Sequence, residues 1–164
     1  MSVIEISHIT KDYGRGRGVF DVSFDVKQGE VLGFLGPNGA GKTTTIRQLM
    51  GFMKPDSGKL SILGKDCFKE ADKIQEYLGY LPGEIAFIDS MSGLEFIHFV
   101  ARMKKMKDLG RAQELMDMFE LNASGKLKKM SKGMKQKIGI VCAFMQTTCS
   151  LYLLDEPYVK LLGK

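Results

Sequence analysis

A chain of 164 residues with 44% apolar and 26% charged residues has the proportions of a globular domain with a real core, which excludes a disordered or fibrous protein. Its net charge of +5 permits contact with nucleic acid or an anionic surface without demanding it. The cysteines Cys67, Cys142 and Cys149 show no disulfide or zinc spacing, which points to a reducing compartment and to thiols used for packing. The opening MSVIEISHITKDYG has no apolar signal-peptide core, and no apolar run approaches the roughly eighteen residues of a membrane span.

In chain order, Val3–Ile6 and Val19–Val26 alternate as strands, with a turn at Lys27–Glu30. Val31–Leu35 (VLGFL) is a short continuous apolar run, the pattern of a strand buried on both faces. A glycine-rich loop follows, then a helical pattern from Thr43 to Met50. Lys54–Gly58 reads as a turn, and Lys59–Leu63 and Tyr77–Leu81 as short strands. From Ser92 the pattern predicts three successive helices, over SGLEFIHFVARMKKM, DLGRAQELMDMFEL and SKGMKQKIGIVCAFMQ. Ser92 with Glu95 fits a capping box. Leu94, Ile97 and Ala101 are expected on one buried face, and Leu115, Met118 and Phe119 on another. A strand returns at Leu151.

GPNGAGKT, Gly36 to Thr43, matches the pattern G-x-x-x-x-G-K-[ST] between a predicted strand and a predicted helix. The residue types suit a phosphate. Gly36, Gly39 and Gly41 let backbone N–H groups curl around it, with Pro37, Asn38 and Ala40 filling the loop. The helix adds its positive N-terminal end. Lys42 would reach the β- and γ-phosphates, the Thr43 hydroxyl would sit on Mg²⁺, and Thr44 would support the helix start. LYLLDE then gains a role. Asp155 would hold the Mg²⁺ shell, and Glu156 would act as general base on an attacking water.

With these motifs in order, the sequence resembles an ATP-binding cassette ATPase, the nucleotide-binding subunit of a transporter, over Val3 to Pro157. ISHITKDYG resembles the family's opening, where an aromatic residue stacks on adenine. Tyr13 takes that place, although by itself it reads as ordinary packing. KMSKGMKQKIGI resembles the signature segment that holds the γ-phosphate of a partner's ATP. Here the residues are Ser131, Lys132, Gly133 and Met134, and the form is similar to a bacterial exporter branch. Around it crowd Lys126, Lys128, Lys129, Lys132, Lys135 and Lys137, which form either a solvated face or a field steering a triphosphate. Many members have Gln after the Leu-Pro of LGYLPGE. This chain has Gly83 and then Glu84, which is carried over as a weaker metal-side candidate. The stretch after it would line the groove that docks a membrane subunit, with Phe87 and Ile88 as contacts or as core.

The resemblance implies an α/β fold: a P-loop NTPase, RecA-like core with an antiparallel β subdomain and an inserted α-helical signature subdomain. The core would comprise 1–82 and 147–157, the helical subdomain 83–146, and a divergent tail 158–164. It implies ATP and Mg²⁺, an integral-membrane transporter subunit, a second ATP-binding subunit, and a cytoplasmic place at the membrane's inner face. It also implies that the C-terminal part of the core is missing, so that VLGFL and LYLLD would present open apolar edges in a destabilised chain. Two alternatives remain open at this point: a remnant that binds ATP without turnover, and a soluble cassette protein acting on nucleic acid or the ribosome.

Overall fold

The computed structural model describes residues 1–155. The expected base Glu156, and the tail 158–164, lie outside the described residues. Contacts divide the chain into two compact units, Met1–Gln75 and Glu76–Lys164.

The first unit is built on a four-stranded antiparallel sheet, in the order β2–β1–β3–β4. Its strands are β1 (Ser2–Asp12), β2 (Gly18–Lys27), β3 (Ser57–Ile62) and the two-residue β4 (Lys65–Asp66). Helices α1 (Lys42–Leu49) and α2 (Ala71–Ile74) accompany it. β1 buries Ile4 and Ile6 by simple alternation and then Ile9, one position out of phase. The shift is a bulge between Ile6 and Ile9, with His8 at φ 50° and, on β2, Asp21 at φ 49°. The extra residue lets an eleven-residue strand keep one face on the core. Ile9, Ile62 and Cys67, each no more than 1% exposed, form part of that core. Gln48 of α1 is equally buried, and among the described residues neither its Oε1 nor its Nε2 has a hydrogen-bond partner.

The expected strand at Val31–Leu35 does not form. These residues belong to no strand, and Val31 and Leu35 are 97% and 91% exposed. The physical reason is hydrogen bonding. An apolar run becomes a strand only beside a neighbour that takes its N–H and C=O groups. β2 pairs with β1, and the turn Lys27–Glu30 leads the chain off without a further pairing in this sheet.

The second unit pairs β5 (Leu78–Leu81) with β6 (Leu151–Leu154) in parallel. Between them in sequence lie α3 (Gly93–Met103), α4 (Gly110–Met118), a 3₁₀ turn (Leu127–Lys129) and α5 (Lys132–Phe144). The capping box at Ser92 and Glu95 forms in both directions. Each of the two expected core stripes has one member outside the core. Leu94 and Met118 are 37% and 66% exposed, while Phe96 and Met116 are buried beside Ile97, Ala101 and Leu115. Phe87 packs its ring 4.9 Å from that of Phe96, so it is a core residue, whereas Ile88 is exposed.

Candidate nucleotide site

The candidate residues divide between the two units. In the first unit, Gly39 at φ 87° and Gly41 at φ 88° bend the loop before α1. This is the left-handed region, cheap only for glycine. A Cβ on Gly41 would lie 2.5 Å from Cγ2 of Val19, so two constraints meet at that residue. Gly41 is the N-cap of α1 and offers no side chain; its carbonyl accepts from the Thr45 N–H at 2.9 Å and the Thr45 hydroxyl at 3.0 Å. The first turn of α1 holds no acidic residue. The Lys42 ammonium folds back to donate to the carbonyls of Gly36 (2.7 Å) and Pro37 (3.0 Å). A cation tethered to its own loop carbonyls, over a glycine bend at a helix N-terminus, is matched to a polyphosphate. Thr43 and Thr44 lie half-buried in the first turn. Asn38 and Ala40 are exposed in the bend, and the Ala40 N–H donates to the Pro37 carbonyl.

Tyr13 stands 47% exposed after β1, its hydroxyl donating to the Met53 sulfur at 2.8 Å. The neighbouring loop is tied down by Asp56, which takes the Lys11 ammonium at 2.6 Å and the Asp12 N–H at 2.8 Å. These bonds hold the Asp56 carboxyl below its ordinary value.

In the second unit, Asp155 follows β6 directly. It is buried, and its N–H donates to the Leu81 carbonyl at 2.9 Å, which extends the β5 pairing by one bond. Ser131 is the N-cap of α5, its hydroxyl accepting from the Met134 N–H at 3.2 Å. Lys132 and Gly133 are exposed beside it, and a Cβ at Gly133 would meet nothing within 4 Å. Glu84 is exposed in the loop after β5. That loop packs on α5: the Ile85 Cδ1 fills the space a Cβ on Gly139 would take.

The crowd of lysines separates into different tasks. Lys137 donates to the Phe119 carbonyl at 2.8 Å, and Lys135 sits over the Phe87 ring at 5.9 Å. Lys126 bonds the Ser90 carbonyl at 3.0 Å and reaches Glu95 at 3.4 Å. Sequence reasoning missed two other groups, Lys104 and Gln146. Lys104 donates to the Leu78 carbonyl and to Gln146, and burial pulls its pKa down. Their bond spans 42 positions, and no local pattern announces it.

Among the described residues no three His, Cys, Asp or Glu side chains come together as a metal cage. The glycine bend and helix, with the mixed α/β folding, give the protein a P-loop NTPase fold. Residues 19–159 match the ABC transporter family, and the chain belongs to that family. It is similar to a bacitracin transport ATP-binding protein of Bacillus licheniformis, 35% identical over 95% of this chain and 51% of the relative. It is equally similar to a linearmycin resistance ATP-binding protein of Bacillus subtilis, 35% identical over 96% of this chain and 52% of the relative. The chain spans about half the length of these curated relatives. Among solved structures, an ATP-binding subunit of an ABC transporter superposes with a TM-score of 0.83 at 30% identity, over 96% of this chain and 68% of the other. A dimeric ATP-binding cassette in a post-hydrolysis state with ADP and Pi superposes with a TM-score of 0.82 at 25% identity, over 95% of this chain and 75% of the other. Among the described residues no helix is long and apolar enough to cross a membrane.

Proposed function

We propose that this chain carries the ATP-binding and ATP-hydrolysing machinery of an ABC transporter subunit, working for export. The observation that carries the reading is the Gly36–Thr43 loop, with the Lys42 ammonium resting on loop carbonyls at the start of α1. In this reading Lys42 exchanges those carbonyls for the β- and γ-phosphate oxygens, while backbone N–H groups from Gly36 to Thr44 line the phosphates. Thr43 and Asp155 would hold Mg²⁺, with Glu84 as a weaker candidate; the ion, when bound, neutralises charge on the phosphates. Glu156 acts as general base on water, and Tyr13 covers the adenine. Ser131, Lys132, Gly133 and Met134, at the positive end of α5, face the ATP of a second ATP-binding subunit. The core comprises 1–82 and 147–157, and the helical part 83–146.

The partner that selects cargo is an integral-membrane subunit, which places the chain at the inner face of the membrane. An open groove of ≈ 580 Å³ along α3 supports docking there: Met91, Met106 and Leu109 give it an apolar floor, with the cationic Arg102 and Lys107 and the anionic Glu95 along its sides. The names of the bacitracin and linearmycin relatives support the exporter reading.

Because the chain contains no tryptophan, a trinitrophenyl-ATP probe reports binding cleanly. The wild-type chain should bind the probe with Mg²⁺, and Lys42→Ala should weaken it by about tenfold or more. Phosphate release that disappears in Glu156→Gln marks turnover. Binding without release, unchanged in Glu156→Gln, marks a chain that holds ATP without hydrolysing it. Absence of wild-type binding at millimolar Mg-ATP overturns the nucleotide reading.

A further inference from the structure

The strand that delivers Asp155 does not choose its own register by hydrophobic pattern. β6 reads Leu-Tyr-Leu-Leu, apolar at every position, and only Leu153 is buried, at 9% exposure. A slip of one residue against β5 would put Tyr152 or Leu154 in the buried place and move Asp155 by about 3.3 Å. Register is weakly specified where no alternation of polar and apolar residues enforces it. The pairing of β5 with β6 is two-stranded among the described residues, and such pairs are marginal by themselves.

Polar groups at the entry to β6 do have a single register. Lys104, at the end of α3, donates to the Leu78 carbonyl on β5 at 2.8 Å and to Gln146 Oε1 at 3.0 Å. Gln146, just beyond α5, is 7% exposed. Its Nε2 donates to the Glu76 carbonyl ahead of β5 and to Thr148 Oγ1. Both ends of this buried amide are therefore satisfied, and both tie the segment entering β6 to the segment entering β5. The Ser150 N–H, donating to the Tyr77 carbonyl at 2.8 Å, is the first backbone bond after the tie. A slipped strand would pull these partners apart in a buried place, the condition under which polar residues fix register. The competing anchor is Tyr152, whose ring stacks on Phe144 at 4.4 Å and lies over Gly79.

We propose that Lys104 and Gln146 are positioning residues that bolt the start of β6 to β5 in one register, and so fix where Asp155 stands at the end of β6. The functional half of this proposal rests on the reading of Asp155 as the Mg²⁺-side acid; the register half does not. Amide hydrogen exchange at Leu151 and Asp155, measured on the full chain, tests the register directly. Lys104→Met should speed exchange at both amides by about tenfold or more, and Tyr152→Leu by less than about threefold. Gln146→Glu keeps an oxygen for Lys104 and loses the donation to Glu76, so its rates should fall between wild type and Lys104→Met. It decides the matter if Lys104→Met fails to fold. Wild-type rates in the Lys104 and Gln146 variants, or an equal effect in Tyr152→Leu, overturn the bolt.

Affinity for trinitrophenyl-ATP with Mg²⁺ and with EDTA then tests the positioning. Lys104→Met should lose the Mg²⁺ enhancement while its EDTA affinity, set by the phosphate loop, stays within about twofold. A parallel fall of both affinities marks general destabilisation and overturns the positioning role. A wild-type chain with no Mg²⁺ enhancement overturns the assignment of Asp155, and the exchange data still decide the register.

Discussion

Gly41 is held by two separable constraints, and replacing it by alanine measures both. The backbone at φ 88° costs an L-residue roughly 1–2 kcal/mol. The new Cβ would also lie 2.5 Å from Cγ2 of Val19, which is itself 3% exposed and cannot swing into solvent. Overpacking of this kind costs roughly 1–3 kcal/mol. The expected loss for Gly41→Ala is therefore about 2–5 kcal/mol, read by urea unfolding. Gly39→Ala is the control, because its φ of 87° is the same and nothing lies within 4 Å of its Cβ. It should lose only the backbone part. Combining Gly41→Ala with Val19→Ala should recover about 1 kcal/mol or more of the clash as a coupling energy. If the two glycine variants lose equal stability and the double mutant is additive within about 0.5 kcal/mol, the steric half of the argument is wrong.

Two more predictions follow from buried groups in the same unit. Gln48→Leu removes an amide that is 1% exposed and without partners, and should stabilise the chain by about 1–3 kcal/mol in urea unfolding. Burial pushes the Cys67 thiol up to about 12, against 9.0 for an open thiol. The folded chain keeps that proton while the unfolded chain loses it. Stability is thus whole below pH 9 and falls by about 1 kcal/mol per pH unit above it, until the folded thiol ionises. Cys67→Ala should remove that part of the alkaline fall, measured as the difference between the two pH–stability curves.

The glycine bend before α1 was legible because its geometry is local: eight consecutive residues supply the bend, the cation and the helix start. The capping box at Ser92 was legible for the same reason. Val31–Leu35 misled because apolarity records a tendency to be buried and carries nothing about hydrogen-bond neighbours, which lie elsewhere in the chain. Each helical stripe was wrong at one member. Leu94 and Phe96, like Met116 and Met118, lie about 200° apart on their helix, so both sides carry an apolar residue, and composition cannot say which one turns inward. The Lys104–Gln146 bond was out of reach altogether, since it joins two polar residues just past the ends of separate helices that only folding brings together.

The absence of a side chain at Gly139 turns α5 into a lever with a seated fulcrum. The Ile85 methyl occupies the space a Cβ would take, so the helix cannot slide past the loop that holds Glu84 without lifting out of that seat. Eight residues of helix, about 12 Å, separate the seat from Ser131. A tilt of 5° about it would carry the Ser131 cap by about 1 Å. That distance separates a good hydrogen bond from none. Pressure on the Ile85 loop is thereby geared to the start of α5, and the gearing comes from the one residue type that leaves room for a neighbour.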